Sequence, residues 1–197
     1  MVEEQNWKIP LYKIYTDEED IIQINKILRR GRDWAIGPEI EELENQIKNY
    51  VGTDYCAVLN SGTSALHATL LSYGIGTNDE VIIPSFSFIS TANSIQFVNA
   101  IPKFSEIEEH TFGLDPNLIK SKISNKTKAI MPMDYGGMSC QISELKKIAH
   151  DNDLILIEDA AEGLGSSVNG KKVGSISDSA IFSFCGNKVL TTGEGGA

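Results

Sequence analysis

Apolar positions along this chain follow two different periods. In residues 17–30 (DEEDIIQINKILRR), Ile21, Ile24, Ile27 and Leu28 recur at helical spacing, with acids leading and arginines trailing. That order suits the helix dipole and predicts an amphipathic helix stopped by Gly31. After the loop RDWAIGPEI, Pro38 opens a second helix reaching about Tyr50, with Ile40, Leu43 and Ile47 on one side. Trp34, in that loop, is expected to pack. Six short runs then have the length and content of buried strands: 55–59, 80–84, 101–105, 127–133, 154–157 and 179–184. Helical stretches separate them: 65 to about 73, 85 to about 98, a short one from Asp115, and 142–150. Strand and helix alternate about six times, which predicts a mostly parallel sheet covered by helices on both faces, a three-layer α/β/α fold.

Composition narrows the class. The 197 residues are enough for one domain with a real core, and 41% apolar with 22% charged residues are globular values. The formal charge of −10 argues against nucleic acid or an anionic membrane as the main partner, while leaving room for a local phosphate site. Cys56, Cys140 and Cys185 are odd in number and far apart, with no CxxC or Cys/His metal spacing. No metal is expected, and a reducing cytoplasm is the default location. The opening MVEEQNWK has no apolar signal region, and no apolar run approaches a membrane span. The last residues, Gly195-Gly196-Ala197, bring no closing helix or strand, so a truncated chain is expected.

Candidate chemistry collects after the strands. The 55–59 run leads into Asn60-Ser61-Gly62-Thr63-Ser64 and then a helix. Strand, small-residue turn and helix is the geometry that aims free N–H groups at an anion. No GK[ST] follows and no G-x-G-x-x-G is present, and an ordinary Ser/Thr cap accounts for the turn equally well. Residues 154–157 end in Glu158 and Asp159; residues 179–184 end in Gly186-Asn187-Lys188. In open α/β sheets ligands bind beyond the carboxyl ends of strands. A lysine in a dry crevice becomes a usable amine nucleophile, and a nearby aspartate holds a cation. Pyridoxal phosphate asks for that pair, a Schiff-base lysine and an acid on its pyridine nitrogen. Taken singly, a solvated lysine and a capping aspartate are the plainer readings. Phe86 and Phe88, just past the 80–84 run, offer either stacking surface for a flat ring or core packing. His67 is expected to pack, and Asp134 follows the 127–133 run.

Three segments at ordered spacing, NSGTSALHATLLSYGIGTNDEVIIPSFSFISTANSI, IEDAAEGLGSS and FSFCGNKVLTTGEGG, resemble the DegT/DnrJ/EryC1/StrS family of pyridoxal-phosphate aminotransferases, which act on nucleotide-linked keto-sugars. The likeness runs from GPEIEELE to Ala197. It implies a type I (aspartate aminotransferase-like) large domain over 1–197, with the small C-terminal domain absent. By motif, Lys188 matches the Schiff-base lysine, which also serves as the proton-moving base. Asp159 matches the acid on the pyridinium nitrogen and Phe88 the stacking aromatic. Gly62, Thr63 and Ser64, with Ser183, match the phosphate cup. Glu162 stands near the cofactor's 3′ oxygen, where many relatives carry His or Gln. Asn187 has no assigned role. A sugar dehydratase branch has His in place of the lysine, so Lys188 favours transamination.

FCGNKVLTTGEGG with Glu162 is most similar to the branch that converts GDP-4-keto-6-deoxymannose to GDP-perosamine; users of UDP-linked 4-keto sugars look alike here. The resemblance also implies an amino-acid donor, usually glutamate, and a homodimer with interfacial sites that the Trp34–Pro38 loop helps to line. Relatives run to about twice this length, so the 197-residue piece is expected not to be competent alone. A non-catalytic binding or regulatory fragment of the same fold is the alternative reading.

Overall fold

A computed structural model describes residues 8–197; the MVEEQNW part of the opening lies outside the described residues. Helix α1 (Glu18–Arg30) is closed at both ends by local chemistry. Asp17 and Asp20 form a reciprocal capping box, and Gly31 ends it at φ 71°. None of its residues is buried, and Ile21, Ile24 and Leu28 all stay more than half exposed. Trp34 is 61% exposed, against the expectation that it packs. Helix α2 (Pro38–Val51) instead buries Ile47 and Val51.

The core is a five-stranded parallel sheet, in the order β2 (Ile101–Ser105), β1 (Glu80–Pro84), β3 (Thr127–Ile130), β4 (Ile155–Asp159), β7 (Ser179–Ile181). Alternation sends successive side chains to opposite faces. Val81, Ile83, Ala129, Met131 and Ile157 pack under α3 (Gly62–Ser72) and α4 (Ile89–Phe97). Ile82, Ile130 and Leu156 pack under α5 (Pro116–Ile119) and α6 (Ile142–Asp151). The three layers expected from the sequence are therefore present.

Two expectations change. Residues 55–59 are not a strand: only Leu59 pairs, in an antiparallel bridge with Gly196. The Val58 N–H is taken by the Glu44 carboxylate of α2, 2.9 Å away, so it is not free for a ladder. The closing residues do pair. Ala197 exchanges both backbone bonds with Phe182, and Phe184 N–H donates to Gly195 O, so this tail lies antiparallel beside the extension of β7. A further hairpin, β5 (Ser167–Val168) and β6 (Lys171–Lys172), turns on Asn169-Gly170, both at positive φ.

Candidate active site

A cavity of about 720 Å³ opens at the carboxyl edge of the sheet, on the α3/α4 side. Gly62, Thr63, Phe88, Asp159, Glu162, Ser183 and Lys188 all line it. They come from the start of α3, the N-cap of α4, the end of β4 and the segments that follow β4 and β7, so chain folding brings them together.

One wall is the start of α3. Ser61 caps the helix, accepting from Ser64 N–H at 3.0 Å, and its hydroxyl meets the Ser64 hydroxyl at 3.0 Å. The amides of Gly62 and Thr63, in the first turn, have no partner within the helix and stand at the positive end of its dipole. Thr63 Oγ1 lies 2.8 Å from Ser90 Oγ on α4. A Cβ on Gly62 would come 3.0 Å from Ser183 Cβ, so glycine here lets the helix start sit directly on Ser183. Amides and hydroxyls converge on one spot, which suits a phosphate.

The opposite wall is the end of β4. Glu158 and Asp159 point to opposite faces of the sheet, and Asp159 takes the cavity side. It is 2% exposed. Thr91 Oγ1 donates to its Oδ2 at 2.7 Å and Ala161 N–H to its Oδ1 at 3.3 Å. Burial pushes the Asp159 carboxyl above its ordinary range, and the charge of Glu162 adds to this. The Thr91 and Ala161 donors and the charge of Lys188 pull the other way. A carboxyl in this position ionises readily only when a cation faces it.

Lys188 supplies one cation. Its Nζ is 3.1 Å from Glu162 Oε1, and its side chain is 15% exposed. Glu162 is gripped from behind, because its Oε2 accepts the Gly136 N–H at 2.8 Å. Phe88 stands at the N-cap of α4 and is 66% exposed, its ring forming part of the cavity wall. Phe86 turns elsewhere, against Tyr135 and Phe112, with ring centroids 4.4 and 6.3 Å away. His67 packs edge-on against Phe97.

Of the residues singled out from sequence, Ser64 is held in the Ser61 cap; Ser61 itself lines the cavity. Asp134 lies on the α5/α6 side, fully buried. Sequence reading passed over Thr91, Ser90, Ala161 and the Gly136 amide. For Thr91 a signal existed, since it falls three residues after Phe88 and so shares a helix face with it.

This arrangement can hold a flat cationic heterocycle with an anionic arm. The arm fits the α3 terminus, the cation fits Asp159, and an amine at Lys188 faces the ring.

Known proteins resemble this chain in sequence and in fold. Over 162 residues, 82% of this chain and 44% of the relative, it is 43% identical to the GDP-perosamine synthase of Caulobacter vibrioides. It is 37% identical to the UDP-2-acetamido-2-deoxy-3-oxo-D-glucuronate aminotransferase of Pseudomonas aeruginosa, covering 88% of this chain and 48% of that one. Among solved structures, a putative sugar aminotransferase of Streptococcus pneumoniae in its PLP form superposes with a TM-score of 0.91 at 32% identity, covering 96% of this chain and 52% of that one. The chain thus spans about half the length of the curated relatives it matches. The family match covers residues 15–197, nearly all of the described chain, and with it the chain belongs to the DegT/DnrJ/EryC1/StrS aminotransferase family.

Proposed function

We propose that this chain is the cofactor-binding large domain of a pyridoxal-phosphate aminotransferase that aminates a nucleotide-linked 4-keto-6-deoxy sugar. The observation that carries the reading is the convergence of the α3 terminus, Asp159 and Lys188 on one cavity. The donor set fits the cofactor: amides and hydroxyls for a phosphate, a buried carboxyl for a ring nitrogen, an amine for an aldehyde carbon, and Phe88 and Ala161 as surfaces for the ring.

When bound, the cofactor supplies an electron-withdrawing ring and a carbon on which amines are exchanged. Asp159 would hold the proton on the ring nitrogen, and the Thr91 and Ala161 donors favour its ionised form against the effect of burial. Lys188 Nζ would be the amine that holds the cofactor's aldehyde group and the base that moves a proton at the reacting carbon. Glu162 sets the direction of the lysine through the 3.1 Å contact and keeps Nζ beside the ring. The amides of Gly62 and Thr63 anchor the phosphate, so that the ring does not shift between half-reactions.

The donor is an amino acid, with glutamate as the first candidate. For the acceptor, GDP-4-keto-6-deoxymannose is favoured by the Caulobacter vibrioides relative, and a UDP-linked keto-sugar by the Pseudomonas aeruginosa one. A homodimer is part of the proposal. The exposed Ile21, Ile24, Leu28 and Trp34 support an assembly that covers them, and light scattering measures it.

The test is a pyridoxal phosphate titration followed by absorbance, borohydride reduction and peptide mapping. A visible band trapped on Lys188 is expected, and amine transfer from glutamate to a panel of GDP- and UDP-linked 4-keto sugars then assigns the acceptor. No trapping on Lys188 in the longer, relative-sized protein would move the reading to a binding or regulatory protein of the same fold.

A further inference from the structure

Beneath the site, on the α5/α6 side of the sheet, lie two carboxyl groups that the proposed reaction does not use. Asp134, at the carboxyl end of the β3 segment, and Glu158, on β4, are both 0% exposed. Each is half anchored. Asp134 Oδ1 accepts the Cys140 N–H at 2.8 Å, which closes the 134–140 loop on itself. Glu158 Oε2 accepts the Ser177 hydroxyl at 2.7 Å and the Gly174 N–H at 3.1 Å. Among the described residues, their other oxygens, Asp134 Oδ2 and Glu158 Oε1, are buried without a hydrogen-bond partner, and the two carboxyl groups lie within hydrogen-bonding reach of each other.

Two ionised carboxylates cannot stand together in a dry interior, whereas an acid and a carboxylate sharing one proton form a strong charge-assisted bond. Among the described residues no cation faces the pair. The titratable groups facing Asp134 are Glu158 and the Cys140 thiol; the 174–177 segment presents to Glu158 only an amide and a hydroxyl. Asp159 points to the other face of the sheet. A cation-free site satisfies both orphan oxygens only with a proton between them.

The pair also lies on a line to the lysine. Two residues after Asp134, the Gly136 N–H holds Glu162 Oε2, and Glu162 Oε1 holds Lys188 Nζ. Ser166 Oγ and the Gly137 carbonyl pin the same loop. We propose that Asp134 and Glu158 share one proton between Oδ2 and Oε1, and that this pair is a positioning element which sets the Gly136 amide and, through Glu162, the direction of Lys188. The last link rests on the cofactor reading above; the shared proton does not.

Burial first, and then the charge of Glu158, push the Asp134 carboxyl up to about 8, from 3.8. The folded state therefore keeps a proton that the unfolded chain releases. The stability this contributes is full below the ordinary carboxylate range and is lost as pH rises towards about 8, levelling off above it. Asp134→Asn keeps a donor towards Glu158 and an acceptor for Cys140 N–H but has nothing to titrate. Glu158→Gln keeps its own partners and donates to an ionised Asp134.

Thermal unfolding of the purified protein from pH 5 to pH 9 tests this. The wild-type Tm is expected to fall with pH relative to both variants, whose difference from wild type shrinks or reverses by pH 9. In infrared difference spectra at pH 7, wild type is expected to show a carboxylic-acid C=O band that both variants lack. Parallel Tm profiles with no such band would overturn the shared proton. For positioning, Asp134→Ala is expected to weaken pyridoxal phosphate binding by roughly tenfold or more, and Asp134→Asn to restore it. If Asp134→Ala binds like wild type, or fails to fold while Asn binds as weakly as Lys188→Ala, the positioning role is refuted. A wild type that never binds the cofactor sinks the cofactor reading, and the pH comparison still decides the proton.

Discussion

Thr91 is the most exacting handle on the site, because it touches Asp159, the proposed partner of the ring nitrogen, without itself lining the cavity. It is fully buried, and its hydroxyl donates to Asp159 Oδ2 at 2.7 Å. A threonine hydroxyl carries one hydrogen, so the 2.6 Å contact with Ser87 Oγ must be donated by Ser87. Thr91→Val keeps the shape and removes the donor. A hydrogen bond to a charged group contributes about 1.5–3 kcal/mol. Its loss lets burial push the Asp159 carboxyl further up. Burial already holds this group above its ordinary range, so the cost falls on the ionised form that faces a cationic ring nitrogen. Pyridoxal phosphate should then bind roughly tenfold to a hundredfold more weakly near neutral pH. Its acid limb should move to higher pH, since a raised carboxyl stays protonated longer as pH increases. The assay is an absorbance titration of cofactor from pH 6 to pH 9. Thr91→Ser, which keeps the hydroxyl, should lie close to wild type. A Kd for Thr91→Val within threefold of wild type across that range, or a Thr91→Ser as weak as the valine, would refute the reasoning.

Three other changes probe separate links. Gly62→Ala places a Cβ 3.0 Å from Ser183, whose neighbours are fixed in the antiparallel pairing with residues 195–197. It should destabilise the fold by about 1–3 kcal/mol in a denaturant titration and weaken phosphate anchoring. Leu70→Ala, at a fully buried position between α3 and the sheet, should cost about 2–5 kcal/mol of stability while leaving the cofactor Kd of the folded protein unchanged. Glu80 is held below the ordinary carboxylate range, first by the Ser124 hydroxyl and then by Lys103. Its contribution is present above that range and lost as pH falls through its folded value, so Glu80→Gln and wild type should converge in Tm on acidification and diverge towards neutral pH.

Much of this molecule is legible in one dimension. Strand runs such as 80–84 and 154–157 are apolar enough to be buried on both faces, and their spacing leaves room only for helical crossovers, so the parallel three-layer plan follows from local pattern. The Ser61 to Ser64 turn, the cap of α1 and the Asn169-Gly170 hairpin are likewise local, each set by residues within four positions of one another. Asp159 could be named because it ends a strand, and Lys188 because it follows one, on the edge where an α/β sheet gathers its chemistry.

Only the tertiary structure decided the rest, because it depends on contacts between residues far apart in the chain. Residues 55–59 have strand-like composition, yet Glu44 takes the Val58 amide and a single bridge to Gly196 remains. Trp34 and the apolar stripe of α1 read as core but stay exposed, since hydrophobic periodicity says which face seeks burial and not whether a partner is there. Glu158 and Asp159 are adjacent in sequence, and strand alternation sends them to opposite faces. One meets Thr91 at the cavity and the other meets Asp134 in a dry layer beneath it. Which carboxylate faces the cavity, and which lies against a second acid beneath it, is settled by the neighbour that each side of the sheet supplies.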